Sequence, residues 1–458
     1  MVVPGLPATK PDLGTADEEA RHEAAGAAAH LSASASLIGT ENEALFTFFT
    51  AFTRHASPED LIHFTGAELA ALVKQVFARS ARRSVGKSLI EVFEPSATDP
   101  AFARRETVVL AVNDDIPFLY DSATAGLRAL GMNVTAAFHP IIGDARDASG
   151  ARVKGGTPVN ESVIVLVLDT VIDDESKAKI KEGLAKVFAD VAVVVRDWKP
   201  MLGRLAETVT QLKKHPPPIQ EADLAENLAF LGWLADNHFT FLGCRDYVFR
   251  DEGEGKLEAR YETGLGVLAD PATRVIRRGA DRSSLTPELR EFLTQPAPLI
   301  ITKSSTRSIV HRRAHMDYVG VKNFDANGKL VGERRFVGLF TSIAYAQSPA
   351  EIPLLRRKVA NVLKRSGLPL SGHDGKALAH VLSTFPRDEL FQISEDELLP
   401  TALSIHNLGE RPKVRVFLRF DKFDRFVSAL VFLPRERYSG AVRERIHALL
   451  AKALDGRT

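Results

Sequence analysis

Cysteine is almost absent: Cys244 is the one thiol in 458 residues. A single cysteine excludes a disulfide framework and any cysteine-based zinc site, and it fits a reducing cytoplasm. Net charge is also nearly absent, at +1, so no global field recruits nucleic acid or an anionic membrane. No apolar run is long enough to span a bilayer. The opening residues, "MVVPGLPATKPDLG", offer neither a basic leader nor an apolar core, so no targeting segment is expected there.

Several catalytic fingerprints are missing as well. "ETGLGVLAD" has Gly264 and Gly266 but no third glycine at dinucleotide spacing. "VKGGTPVN", Val153 to Asn160, lies between two expected strands and lacks the phosphate-loop pattern. It reads either as a weak phosphate or catalytic-lysine loop, or as a plain hairpin loop. His311 and His315 in "HRRAH" lack the glutamate of a zinc-protease helix. Ser304, Ser305 and Ser308 lack a nucleophile elbow. No catalytic residue and no metal ligand is assigned.

What is present is an organised alternation of helix and strand signals, long enough for roughly two to four domains. Residues 1–35 are Ala-rich and polar and read as a disordered arm. Residues 36–100 read as a helical segment, with helix starts at Ser57-Pro58 and Thr65-Gly66 and an aromatic core stripe of Phe46, Phe48, Phe49 and Phe52. Residues 101–212 follow the order β-α-β-β-α-β, ending on an expected strand "VAVVVRDW". That order is the ferredoxin-like split β-α-β. RNA-recognition modules share it, but the central strands "TVVLAV" and "SVIVLVLDT" carry no aromatic for base stacking, so no nucleic-acid partner is expected.

Residues 213–223, "KKHPPPIQEAD", read as a linker. Residues 224–348 look mainly β after one helix, with a hairpin signal at "DANGK", and suggest a PAS-like mixed sheet. Residues 349–385 are helical. Residues 386–458 begin a second ferredoxin-like module: "DELFQI" as a short strand, then a helix, a hairpin and a second helix, without a last strand. A sheet short of a strand leaves an open edge, so the chain is expected to be a fragment. The fold class is therefore α+β.

Two features invite chemistry. "NDDIPFLYDSATAGLRALG" puts Asp114 and Asp115 before a helical pattern. Adjacent carboxylates point apart and suit a glycosidase-like pair poorly. The functional reading is an effector site, with a ligand carboxylate at the helix start and an ammonium group on Asn113, Asp114 or Asp115. The plain reading is helix capping by Asp115. The second feature is residues 302–335, with eight positive against three negative side chains. They form either a surface for an acidic partner or a solvated strand face.

Longer stretches carry a resemblance: "DDIPFLYDSATAGLRALGMNV", "FLGWLADNHFTFLG", "ITKSSTRSIVHRRAHMDYVGVK", "GERRFVGLFTSIAYAQSPAEIPLLRRKVANVL", "SGHDGKALAHVLSTFPRDELFQI" and "FDRFVSALVFLPRERY". Over roughly residues 40–458 the chain resembles the N-terminal half of the large bacterial NAD-specific glutamate dehydrogenases. The resemblance implies that both ferredoxin-like modules are ACT-like regulatory domains flanking a PAS-like region. It implies a parent enzyme that oxidises L-glutamate to 2-oxoglutarate and ammonia with NAD. The Rossmann unit, the catalytic lysine and the NAD site then belong to another part, and this segment holds no cofactor. The implied partners are the chain's own catalytic domain and other subunits of a cytoplasmic homo-oligomer. In ACT domains the loop entering the first helix often lines an amino-acid effector site. Asn113, Asp114, Asp115, Ile116, Pro117 and Phe118 stand there. A free-standing ACT/PAS amino-acid sensor and a structural assembly scaffold are the two alternatives.

Overall fold

The computed structural model describes residues 13–250, 256–273, 295–409, 411–423 and 425–456. Two compact units result. The first runs to Val195 and takes in Ser308–Ala314; the second holds Arg196–Arg307 and the chain from His315 onward.

The first unit opens with helix α1, Leu13–Ile38. The disordered arm expected over 1–35 is thereby corrected from residue 13; residues 1–12 lie outside the described residues. Alanines lose no side-chain entropy in a helix, and their small size lets α1 lie close to a neighbour. Helices α2 (Glu43–Thr53), α3 (Pro58–Ile62) and α4 (Gly66–Arg79) follow, α3 capped by Ser57 and α4 by a Thr65/Glu68 capping box. A Cβ on Gly66 would stand 2.6 Å from the Ala33 Cβ, so the α1–α4 approach requires glycine. Ser34 Oγ, fully buried, donates to the Gly66 carbonyl at 2.9 Å across it.

The sheet comprises β1 (Leu89–Phe93), β2 (Thr107–Asp114), β3 (Val134–Phe138), β4 (Ile141–Asp144) and β5 (Val159–Leu168), with helix α5 (Leu119–Ala129) between β2 and β3. The order is β1-β2-β5-β3, antiparallel throughout, with β4 pairing the far part of β5. The β2-β5-β3 arrangement is that of a ferredoxin-like module. Its expected last strand, "VAVVVRDW", is corrected: those residues continue helix α6, Asp174–Lys214. Ile180, Leu184, Val187, Val191 and Val194 are buried at helical spacing, and that continuous stripe overrides the β preference of a valine run. The edge beside β2 is filled by β1 instead, from a segment expected to be all helix. Val108, Leu110 and Val112 with Val163, Val165 and Val167 face the α1–α4 layer, where Phe52 stacks on Phe138 at 4.7 Å. Phe48, Phe49 and Phe52 are core residues, as the stripe implied.

The second unit begins with the rest of α6, which ends before the three prolines, and α7 (Glu221–Trp233). Strands β6 (Phe239–Arg250), β7 (Lys256–Gly266), β8 (Leu299–Arg307), β9 (His315–Phe324) and β10 (Leu330–Phe340) form an antiparallel sheet in the order β7-β6-β10-β9-β8. The "DANGK" hairpin is present, with Gly328 at φ +75° and Asp325 Oδ1 accepting the Asn327 and Lys329 N–H groups. Helices α8 (Ser342–Ala346), α9 (Leu355–Arg365), α10 (His373–Thr384), α11 (Arg387–Gln392) and α12 (Glu395–His406) follow. "DELFQI" is corrected from strand to helix α11. Its Asp388 and Glu389 sit in the first turn, where acidic groups suit the helix dipole. Strands β11 (Arg415–Phe420) and β12 (Val427–Phe432) form a hairpin, and helix α13 is Gly440–Ala453.

The basic stretch is only in part a solvated face: Arg307 and Arg313 are exposed. Lys322 and Arg334 are buried. Arg334 holds Asp246 at 2.6 and 3.0 Å, Lys322 Nζ donates to the Gln295 carbonyl at 2.8 Å, and Lys303 lies between Asp317 (2.5 Å) and Asp388 (3.0 Å). Arg334 and Lys303 are thus matched by carboxylates inside the second unit.

Candidate functional site

Strand β2 sends Asn113 and Asp114 to opposite faces of its sheet, as strand alternation requires. Asp114 shares its face with Glu161, and both meet arginines. Arg83 Nη2 reaches Asp114 Oδ1 at 2.6 Å and Glu161 Oε1 at 2.6 Å. Arg146 grips the same glutamate with Nε at 2.5 Å and Nη2 at 2.6 Å. Glu161 and Arg83 are buried. The cluster ties the turns near Arg83 and Arg146 to the sheet, and it gives Asp114 a cation from the chain itself.

Asn113 lies on the other face, 6 % exposed, opposite Ser162 in the register. Its Nδ2 is buried without an acceptor, an unfavourable state for a polar group. Ser162 Oγ is 2.8 Å from His139 Nε2, and the His139 ring stacks on Tyr120 at 5.2 Å.

Asp115 does not cap α5. The helix begins at Leu119; its N-cap is Phe118, at φ +73°, with no side-chain cap bond. The Asp115 N–H instead donates to the Asn160 carbonyl. The first N–H groups of α5 therefore lack an intrahelical acceptor and a side-chain one. Asp115, Ile116, Pro117 and Phe118 join Tyr120, Asp121 and His139 around a shallow cleft of about 460 Å³. Of the six residues expected at the site, the structure brings four together at the cleft; Asn113 lies within the sheet and Asp114 turns to Arg83.

Sequence reasoning missed His139, Asp121 and Tyr120. The signal was available for His139: "AFHP" ends β3, the strand that pairs β5 and so reaches the cleft end of the sheet. Packing of its ring pushes the His139 pKa below the usual histidine value, against the opposing pull of Asp115 and Asp121. Burial and the charge of Asp60 push the Tyr120 hydroxyl up. Both rings are thus uncharged at neutral pH, and the cleft's formal charge comes from Asp115 and Asp121. Two carboxylates and the start of α5 line the same cleft. Such a site takes one cationic and one anionic group a few ångströms apart.

No sequence signal placed Ser308–Ala314 beside α5. Its His311 N–H donates to Ser122 Oγ at 2.7 Å, and His311 Nδ1 is 3.2 Å from Asp121 Oδ2.

A larger cleft, about 680 Å³, lies in the second unit beside β8. Part of its polar wall is a hydrogen-bonded network, in which Arg425 Nη1 stays buried without an acceptor. Arg419 pairs with buried Glu389 and reaches Gln392; Thr302 bonds Gln392 and Asp421; Arg425 pairs with Asp421 at 2.7 Å. The network fastens the β11–β12 hairpin to the sheet and to α11, and Arg357, Lys358 and Lys422 line the cleft beside it.

Comparison with known proteins adds three matched regions. The model for the glutamate dehydrogenase ACT1 domain matches residues 48–184, helical motif 1 matches 352–411, and the ACT2 domain matches 415–458. The helices Arg387–Gln392 and Glu395–His406 thus fall in the helical motif, and the second ACT match starts at 415 rather than 386. NAD-specific glutamate dehydrogenases of Halomonas elongata and Pseudomonas aeruginosa are 33 % and 34 % identical over 375 residues, covering 80 % of this chain and 23 % of theirs. That of Mycobacterium tuberculosis is 30 % identical over 385 residues, covering 82 % of this chain and 22 % of its own. The chain spans less than a quarter of the length of these curated relatives.

Proposed function

The chain belongs to the family of bacterial NAD-specific glutamate dehydrogenases, and we propose that it is the N-terminal regulatory and oligomerisation part of such an enzyme, with the cleft at the start of α5 as an amino-acid effector site. The parent reaction is then L-glutamate with NAD and water to 2-oxoglutarate, ammonia and NADH. Both large sheets described here are antiparallel throughout, whereas a dinucleotide fold uses parallel strands. That contrast supports placing NAD and the catalytic lysine in another part of the protein. The strand order of the second sheet, second-first-fifth-fourth-third in chain sequence, supports a PAS-like reading of that region. The buried thiol of Cys244, and the lack among the described residues of a helix long and apolar enough to cross a membrane, accord with a cytoplasmic enzyme.

One observation carries the effector reading: an uncapped helix start and two carboxylates converge on one cleft. An α-amino acid supplies the matching groups. Its carboxylate takes the N–H groups at the α5 start, and its ammonium group takes Asp115 or Asp121. Calorimetry of the chain with the common L-amino acids tests the reading. Binding that weakens at least about tenfold in Asp115→Asn, the loss of one charge-assisted bond, supports it. No heat with any of them sinks it.

A specific feature also favours the assembly role. Val416, Leu418 and Phe420 are exposed along one face of β11, with exposed Val414 just before it, and apolar faces of this kind mark interaction surfaces.

A further inference from the structure

We propose that the Ser308–Ala314 loop reads the occupancy of the α5 cleft, through exchange of Asp121 between His311 and the ligand's ammonium group. The proposal rests on the effector reading and adds the element that responds. Asp121 faces two ways: it lines the cleft, and its Oδ2 meets His311 Nδ1 at 3.2 Å. Phe118 does the same, lining the cleft while its ring lies 5.1 Å from the His311 ring. A third tie, the His311 N–H on Ser122 Oγ, comes from the same helical turn. His311 is thus tied to three residues at the start of α5, and two of them, Phe118 and Asp121, line the cleft.

The relay needs two states of the loop, tied to α5 and released. His311 is a non-glycine residue at φ +65°, a conformation that persists only while its surroundings over-determine it. The loop is otherwise closed on itself: Ser308 N–H donates to the Ala314 carbonyl at 2.8 Å, and Ser308 Oγ bonds the Val310 backbone. Its internal shape can therefore survive when the outer ties loosen. The Asp121–His311 pair is half open to water, so it is weak and exchangeable. An ammonium group in the cleft competes for the same carboxylate. Because the loop joins β8 to β9 along the chain, its release is passed on by a covalent connection.

Hydrogen exchange of the 308–314 amides, followed on the full chain by mass spectrometry, tests this. Asp121→Asn keeps the shape and removes the anion. It is expected to speed exchange of this loop about fivefold, the scale of an exposed ion pair. Arg128→Gln, at the far end of α5, is expected to leave the loop unchanged. Equal exchange in wild type and Asp121→Asn overturns the proposal, as does equal acceleration in Arg128→Gln. The same measurement is then made with each of the twenty common L-amino acids. Binding that speeds loop exchange supports the relay. Binding that leaves the loop unchanged overturns the relay and spares the effector reading. Absence of binding by all twenty removes the effector reading and the relay with it.

Discussion

Phe118 and His311 are both non-glycine residues in the left-handed backbone region, at φ +73° and +65°, and their rings lie 5.1 Å apart. Each conformation is unfavourable alone. They persist together because Phe118 starts α5 and His311 is tied to Asp121 and Ser122 on that helix's first turn. Strained, non-glycine residues gather where a structure over-determines its backbone, and such places are often functional.

A pair of substitutions separates the backbone strain at His311 from its ring contacts. His311→Gly and His311→Ala both remove the ring, but only alanine keeps the left-handed penalty. Thermal unfolding is expected to show the glycine variant more stable by about 1 kcal/mol. An alanine variant as stable as the glycine one removes strain from the account.

The Arg83–Glu161–Arg146 cluster is expected to be a structural centre of the first unit. Glu161→Ala leaves two buried guanidiniums without their shared carboxylate. Removing one partner of such a group costs about 3–5 kcal/mol, read as a shift in urea midpoint. Asp114→Ala, at a carboxylate 38 % exposed, is expected to cost no more than about 1 kcal/mol. Equal costs for the two would mean that Glu161 is not the hub.

Asp317 gives a pH dependence of defined sign. Burial lifts its carboxyl to about 6, against the pull of Lys303 and with the push of Asp388. An unfolded aspartate titrates near about 3.9. Between these values the folded state binds more protons, so this group's contribution is greatest below about pH 4 and falls as pH rises to about 6. Above that window it is flat. Asp317→Asn cannot ionise and lacks this fall. Urea midpoints at pH 4.5 and 7 are expected to show wild type losing stability relative to the variant; a pH-independent difference would contradict the assignment.

Cys244 is expected to be inert while the chain is folded. Burial pushes its thiol up to about 12, so almost no thiolate exists at neutral pH, and the thiolate is the reactive form. A thiol reagent is expected to label no cysteine in native protein and one in denaturant. Prompt native labelling would show that β6 opens.

The cleft was half legible. The segment from Asn113 to Phe118 was found because a proline and acidic residues before an amphipathic stripe mark a strand-to-helix turn. Which of those side chains face a ligand was not, because that depends on strand phase and on partners distant in sequence. Arg83 claims Asp114 from 31 residues away and Ser162 meets His139 from 23. His311 reaches Asp121 from 190 residues away, and no local pattern reports such a meeting.

By itself the sequence determined the element types wherever periodicity was strong: β2, α5, β5, β6, β9, β10 and the closing hairpin follow from alternation, apolar stripes and turn residues. It also determined the family, because long linear motifs carry more information than any short pattern. Only the tertiary structure decided the fate of segments whose local signals were divided. "VAVVVRDW" became helix because its valines extend a buried stripe, "DELFQI" became helix at an acidic first turn, and Leu13–Ile38 became ordered because Gly66 lets α1 lie against α4. With the last strand gone, β1 took the open edge beside β2. The physical reason is common to all four cases. Local propensities differ by fractions of a kcal/mol per residue, whereas burying an apolar side chain is worth about 1.5–3 kcal/mol, and burial is settled only when the layers meet.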